Sequence, residues 1–497
     1  MKNQLFHIIC LFILVLISAC SKDEVKIDTA EEVAEETIDD TSSQPTLSEL
    51  RSESTTILTS GNSKTWRINQ ATLTNGNSTI DISSNFNVVD DEFIFGGSGE
   101  NGTLEWRKGF DIKTNATNNS ETLLDKYVSA ISTTFQYTDE SSSTVVADFG
   151  TCIFDINTNN TLTATITNED SSVFIFVLVV KTQNDYLSPS QSGLNFTSAF
   201  AFESNSIRSM APGMIGSYSN NSIYIVTRED GLRNIDGESP ERIIKFNIET
   251  NSISENLFFQ HDFASKQLHI IDNKLIIVGG QYVNQYDLSL SNDPVSASHG
   301  KSLSRFGISV LDDDAYIIGG DLREVEDDKI FKWDINSETL SEFTTLPEEK
   351  NGARGTIVND NLYVFGGSET LLGFGTPTNT IYKVSTNNPS QIETFQMNKA
   401  INFTFVQKYQ NLIYVAGRIE VVDNTGATTG REATIGVFNT IDNTYQELVT
   451  NLTNFSGFDT IHQMCILNGK MYVIYGNEGV NKGGQFPGWD VLVSDLN

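Results

Sequence analysis

The chain has 497 residues and a formal net charge of −32, from 64 acidic and 32 basic side chains. A surface this acidic repels the phosphate backbone, so we expect no nucleic-acid partner. The length implies more than one hydrophobic core. The 30 phenylalanines and 15 tyrosines, with many β-branched residues, favour strands over helices. The four cysteines show no CxxC spacing, which argues against a disulfide framework and a cysteine-based zinc site.

The N-terminus predicts export and lipid anchoring. Lys2 precedes an apolar run at residues 5–17, which has the length of a signal peptide and is too short to span a membrane with its own flanks. The run ends in the sequence L-I-S-A-C at residues 16–20, which resembles the lipobox of bacterial lipoproteins. The resemblance implies removal of residues 1–19 and attachment of diacylglycerol and a further acyl chain, such as palmitate, at Cys20. Several acyl chains on one residue are sufficient for stable membrane anchoring.

Residues 20–49 are predicted to form a flexible stalk. They are acidic and lack aromatic side chains, so they cannot bury enough apolar surface to fold. An acidic tail that binds a partner is the alternative. The sequence S-K-D-E at residues 21–24 resembles the signal that sends some Gram-negative lipoproteins to the outer leaflet. The expected location is therefore the outer membrane, with the folded part exposed at the cell surface.

Residues 50–185 are predicted to form a small β domain. Strand-like runs recur, and residues 161–167 alternate between polar and apolar as in a strand with one buried face. Residues 119–131 fit one amphipathic helix with a capping residue. The opening at residues 60–67, which includes Trp66, resembles the lipocalin-like domains of secreted lipoproteins. That resemblance implies a closed barrel or sandwich, whose interior is either a packed core or a pocket for a small apolar ligand.

A hydrophobic strand that runs into a glycine pair recurs through the second half of the chain. Successive copies lie roughly 40 to 60 residues apart, which is the period of propeller blades. Each copy follows an Asn- or Asp-rich turn, where these residues tolerate left-handed backbone angles. The copies lie at residues 223–227, 275–280, 315–320, 362–367, 413–417 and 471–476. Residues 95–97 carry a similar glycine pair, but their flanking elements have the wrong order, so we do not count them as a blade.

The glycine pair, the aromatic residue before it and Trp333 in the following strand resemble kelch repeats. The resemblance implies a six-bladed propeller over residues 196–497, with the glycines where strands crowd together. Because the chain stops after the third strand of the last blade, residues 196–202 are predicted to supply its fourth strand and close the ring. The predicted fold is therefore all-β: a six-bladed kelch-like β-propeller preceded by a small lipocalin-like β-barrel or sandwich.

Long loops between second and third strands should share one face with the connections between blades, and binding residues tend to lie on such loops. The candidate ligand-binding residues on this face are Arg228, Arg305, Arg323, Arg354, Arg418 and Trp489. Arginine suits carboxylates and tryptophan stacks on sugar rings, although loop arginines also pair simply with neighbouring acidic residues. We expect a surface-anchored, non-catalytic binding lipoprotein that recognises a glycan or a protein.

Two other functions fit the same sequence. A sugar-modifying enzyme similar to the kelch-type mutarotases needs only a pocket lined by Arg and Glu, and a scaffold subunit of a nutrient-uptake assembly needs an exposed apolar patch. The chain has no G-x-S-x-G, P-loop or H-E-x-x-H motif, so we expect no catalytic residue, metal or cofactor. His462 and Cys465 share a segment, but the other histidines do not repeat in equivalent positions, as a copper site of the kelch type would need.

Overall fold

The computed structural model places secondary structure in one compact unit that begins at Leu47. The predicted signal peptide, Cys20 and most of the predicted stalk lie outside the described residues. Those residues are 44–83, 91–107, 131–138, 140–147, 152–167, 170–190, 192–203, 213–217, 220–228, 240–259, 266–271, 274–303, 306–311, 314–320, 328–334, 336–368, 376–401, 403–425, 428–452, 459–477 and 488–496.

The first domain is a closed meander barrel. Consecutive strands pair antiparallel, and β9 returns to pair with β1, so eight strands close while the short β2 extends a hairpin from β1. A single helix, α1, precedes the strands within the described part of this domain. The elements are α1 Leu47–Thr59, β1 Ser63–Asn75, β2 Ser78–Asp81, β3 Glu92–Gly96, β4 Asn101–Arg107, β5 Ile131–Tyr137, β6 Thr144–Ala147, β7 Cys152–Thr158, β8 Thr161–Thr167 and β9 Val173–Val180.

Aromatic side chains fill the barrel interior. The rings of Phe93 and Trp106 stack at 5.3 Å between centroids, and the rings of Phe95 and Phe154 meet edge to face at 5.1 Å. These residues are all at most 1% exposed. Aromatic pairs at such distances add to the stabilisation from burial alone. The interior is therefore a packed core, which favours the first of the two interpretations that the sequence left open.

Helix α1 covers one end of the barrel. The indole Nε1 of Trp66 donates to the Leu58 carbonyl at 3.0 Å, and the Tyr137 hydroxyl donates to the Arg51 carbonyl at 2.9 Å. The helix begins at Leu47, inside the range assigned to the stalk. The helix predicted over residues 119–131 lies outside the described residues except for Ile131, which begins β5.

The second domain is a ring of six small sheets, as the repeat predicts. We number the blades in chain order: blade 1 is β11–β14, blade 2 β15–β17, blade 3 β18–β21, blade 4 β22–β25, blade 5 β26–β29, and blade 6 is β30–β32 with β10. The strands are β10 Thr197–Glu203, β11 Gly213–Ser217, β12 Ser222–Arg228, β13 Pro240–Asn247, β14 Ser252–Phe259, β15 Lys266–Ile271, β16 Lys274–Asp287, β17 Val295–Leu303, β18 Gly307–Leu311, β19 Asp314–Ile318, β20 Lys329–Asp334, β21 Thr339–Thr345, β22 Arg354–Val358, β23 Asn361–Phe365, β24 Thr380–Ser385, β25 Ile392–Gln396, β26 Phe403–Tyr409, β27 Leu412–Val422, β28 Thr428–Asn439, β29 Thr444–Glu447, β30 Asp459–Leu467, β31 Lys470–Asn477 and β32 Gly488–Asp495.

The ring closes as the sequence predicts. The first strand of each blade lies beside the first strand of the next, and β30 of blade 6 returns to β11 of blade 1. Strand β10 pairs antiparallel with β32 and forms the fourth strand of blade 6. The N-terminal strand of this domain therefore covers the outer edge of the last blade, which would otherwise expose unpaired backbone groups.

The turn and glycine residues adopt the conformations that their chemistry allows. Asn221 and Asn468, at turns between first and second strands, have φ of 49° and 51°. Gly366 and Gly367 have φ of 61° and 89°, and a Cβ on Gly366 would lie 2.6 Å from the Ile401 carbonyl oxygen. Glycine is required there both by the backbone angle and by the close approach of the next blade.

Two blades depart from the predicted pattern. In blade 2 the strand predicted at residues 275–280 continues past its glycine pair as the 14-residue β16, so the sheet has three assigned strands among the described residues. Gly280, with φ of 51°, joins the two halves of β16. In blade 5 the connection between the second and third strands, where the sequence predicts a long loop, is a β-hairpin, because β27 and β28 continue pairing from Arg418 to Val422.

Candidate functional site

The strand registers place the long connections at one end of the propeller. In blade 4, Arg354 at the start of the first strand pairs with Phe365 at the end of the second, and Phe365 pairs with Ile381 near the start of the third. The loops between second and third strands therefore share an end with the connections between blades, as the sequence predicts. We call this end the loop face, and the opposite end, with the tight Asn turns, the turn face.

Arg354 is a buried cation at the loop face. Its Nη1 donates to the Ala353 carbonyl at 2.9 Å, and its Nε is buried without an acceptor among the described residues. Burial lowers the pKa of the Arg354 guanidinium to about 10, and no carboxylate of the described part of the chain offsets that effect. The residue as a whole is only partly buried, although its Nε is enclosed.

Arg418 lies on the neighbouring blade. Its guanidinium carbon is 4.6 Å from the centre of the Phe403 ring, and Phe403 begins the innermost strand of blade 5. The Thr404 backbone N–H donates to the Gly352 carbonyl at 3.4 Å, which ties the start of that strand to the segment just before Arg354. Two of the predicted arginines therefore belong to adjacent blades at the same end of the ring.

Trp489 does not present an open ring. It lies in β32 rather than in the preceding loop, is 5% exposed, and meets His462 edge to face at 4.6 Å between ring centroids. The His462 Nε2 in turn lies 2.9 Å from the Gly476 carbonyl. A tryptophan packed in this way supports the inner structure of blade 6 and offers no face for stacking on a sugar.

The remaining candidates are only partly placed. Arg228 is the last residue of β12, at the loop face. Arg305 and Arg323 lie outside the described residues. The structure therefore brings Arg354 and Arg418 to one region, while the other arginines stay predictions.

A buried ion pair at the loop face was not found from the sequence. Glu241, the second residue of β13, accepts a hydrogen bond from Lys266 Nζ at 2.9 Å, and the residues are 2% and 8% exposed. The pair joins blade 1 to blade 2. The second oxygen of Glu241 is buried without a donor among the described residues. No signal in the sequence links these positions, because the two side chains meet only when the blades pack.

His269 is a second site that the sequence did not single out. It lies on β15, the innermost strand of blade 2. Burial and the positive charge of Lys408 lower the pKa of His269 to about 4, although a hydrogen bond with the Ile308 backbone acts in the opposite direction. Lys408 belongs to β26 in blade 5, on the far side of the ring, and donates to the Ile357 carbonyl at 3.1 Å. The charge of Lys408 therefore acts on His269 across the ring of innermost strands.

The described part of the chain contains no group of three or more His, Cys, Asp or Glu side chains arranged to hold a metal ion. Cys152 and Cys465 are free and fully buried, and burial raises the pKa of both thiols. They are small core residues. Among the described residues, no helix combines the length and the apolar character that crossing a bilayer requires.

Comparison with known proteins adds no family to these observations. No protein-family model matches the chain, and a search of curated proteins finds no match.

Proposed function

We propose that this protein is a non-catalytic binding lipoprotein, anchored through Cys20 in the outer membrane and displayed at the cell surface. Its propeller takes a glycan or a protein ligand on the loop face. The lipobox at residues 16–20 and the acidic stretch after it support the anchoring. The kelch-like repeat and the lipocalin-like barrel provide a rigid body for the binding surface.

The observation that carries the proposal is the concentration of buried charge at one end of the propeller. Arg354, Glu241 and Lys266 all lie at the loop face. Burial of charged groups is unfavourable in free energy, so stability alone does not explain why these groups are buried. The turn face has short turns whose Asn side chains bond to the backbone, such as Asn411 to the Leu187 carbonyl at 2.9 Å. Binding sites on such scaffolds lie where long loops meet buried polar groups.

Binding fits the geometry better than catalysis of the mutarotase type. That chemistry needs a carboxylate facing an arginine across one pocket. Glu241 is engaged with Lys266 between blades 1 and 2, whereas Arg354 begins the first strand of blade 4. The described residues thus bring no acidic side chain to Arg354.

Two experiments test the proposal. Metabolic labelling with palmitate and surface proteolysis of intact cells should show a lipidated, protease-accessible protein, and Cys20→Ala should abolish both the label and membrane retention. The detergent-purified full chain should then bind a glycan on an array or crosslink to a surface protein. Binding should be lost in Arg418→Ala but kept in Lys470→Ala, whose lysine pairs with Asp495 at the turn face. Loss of binding in both variants, or in neither, would argue against the loop face.

A further inference from the structure

The guanidinium of Arg354 has one side bonded to the protein and one side without a partner among the described residues. The bond from Nη1 to the Ala353 carbonyl, 2.9 Å long, holds the plane of the group. The opposite edge consists of Nε and Nη2. Nε is buried without an acceptor among the described residues, and Nη2 makes no hydrogen bond to a described residue. Two parallel N–H donors of this kind match the two oxygens of a carboxylate.

The electrostatic environment selects an anion. Arg354 stays charged at neutral pH, because burial lowers its pKa only to about 10. A buried cation that meets no counter-charge among the described residues is costly in the free protein, and such departures from the rules of stable folding concentrate at functional sites. Arg418, on the adjacent blade, adds a second positive charge near the same mouth of the ring.

The net charge of the whole chain decides which anion is favoured. At −32, the protein repels a dianion such as a phosphate monoester more strongly than a singly charged carboxylate. We infer that the ligand of the loop face carries a carboxylate, which Arg354 binds in a bidentate manner through Nε and Nη2. This inference rests on the proposed function, because it names the chemical group recognised at the same face.

The test measures the reactivity of Arg354 directly. Phenylglyoxal modifies accessible guanidinium groups, and mass spectrometry of the digested full chain reports the rate at each arginine. The probes are glucuronate, N-acetylglutamate, neutral glucose, and glucose 6-phosphate. Glucuronate or N-acetylglutamate should slow modification of Arg354 roughly tenfold at ten times its dissociation constant, while glucose should not. Arg67, which pairs with Asp185 in the barrel at 2.7 Å, is the internal control and should react equally with every probe.

Variants separate charge from geometry. Arg354→Lys keeps the positive charge but loses the planar fork, so carboxylate binding measured by calorimetry should weaken about tenfold. Arg354→Met removes both the charge and the planar fork and should abolish carboxylate binding. The protection measurement uses the unaltered protein, so it stands even where a variant folds poorly.

The remaining outcomes overturn the inference. Protection by glucose equal to that by glucuronate would leave a binding site without carboxylate selectivity, so the proposed function would stand and this inference would fail. Protection by glucose 6-phosphate alone would assign the site to phosphate. No protection by any probe, together with no array binding or crosslinking, would contradict both the proposed function and the carboxylate inference. Failure of phenylglyoxal to modify Arg354 at all would show that ligands of that size cannot reach it.

Discussion

The barrel and the propeller bury polar groups in opposite ways. In the barrel, the indoles of Trp66 and Trp106 both donate to protein oxygens, at 3.0 Å from the Leu58 carbonyl and 2.9 Å from Asp91. At the loop face of the propeller, one oxygen of Glu241 and the Nε of Arg354 are buried without partners among the described residues. A core that satisfies its polar groups serves stability, whereas unsatisfied charged groups at one rim are what the proposed binding function predicts.

This contrast predicts that barrel substitutions damage stability without changing loop-face chemistry. Trp66→Ala should destabilise the barrel by about 4 kcal/mol, because it leaves a cavity at a fully buried site and frees the Leu58 carbonyl. Hydrogen exchange with mass spectrometry, in increasing denaturant, resolves peptides of each domain. Protection should fall in β1–β9 and not in β22–β27. Trp66→Phe, which loses the hydrogen bond and little volume, should cost much less. Equal loss of protection in both domains would mean that the barrel supports the propeller.

The Glu241–Lys266 pair provides the corresponding test in the propeller. Lys266→Met should cost about 3 kcal/mol, because it leaves the Glu241 carboxylate buried and uncompensated. The double variant Glu241→Gln with Lys266→Met removes both charges and should recover most of that loss. Urea unfolding of the single and double variants gives the coupling free energy. A double variant as unstable as the sum of the singles would show that the two side chains do not interact across blades 1 and 2.

His269 should make the propeller sensitive to acid. Its pKa is about 4 in the folded protein against 6.5 for an ordinary histidine, so the unfolded chain binds a proton more readily between these values. The contribution to stability is therefore complete above pH 6.5 and is lost progressively as the pH falls towards 4, by up to about 3 kcal/mol. Hydrogen exchange of the full chain in denaturant, followed in peptides from blade 2, should show a lower free energy of unfolding at pH 4.5 than at pH 7. The difference between the two pH values should be smaller in His269→Gln. An unchanged pH dependence in that variant would assign the acid sensitivity to carboxylates instead.

The sequence predicted the propeller well because the residues that repeat are those that the backbone conformation of each blade requires. Gly366 and Gly367 need positive φ, and the turns need Asn or Gly, so the spacing of these residues reveals the blades. The strand at residues 197–203 was also predictable, since the last blade ended one strand short. Helix α1 was missed because its sequence, L-S-E-L-R-S-E-S-T-T-I-L-T, is rich in Ser and Thr, and only packing on the barrel favours a helix there.

The site was harder to predict than the fold. Arg354 was named from its place before a first strand, but the burial of its Nε without a partner among the described residues depends on three-dimensional packing. Trp489 was assigned to a loop, since the last glycine copy gives no signal for where β32 begins. Glu241 and Lys266 are 25 positions apart and meet across two blades, so neither composition nor spacing indicates their contact.

The smallest expected effect is a gain of stability from removing Arg354. In the free protein its guanidinium is buried, donates to the Ala353 carbonyl, and meets no described carboxylate, so the folded state disfavours its charge. Arg354→Met keeps most of the volume and removes the charge, and it should raise the free energy of unfolding of blade 4 by about 1 kcal/mol. Hydrogen exchange of peptides from β22–β25 at several urea concentrations measures this, with Arg67→Met as the matched control that loses an ion pair instead. A gain of stability would agree with the inferred ligand contact of Arg354, whereas a loss of stability in Arg354→Met would give the side chain a structural role.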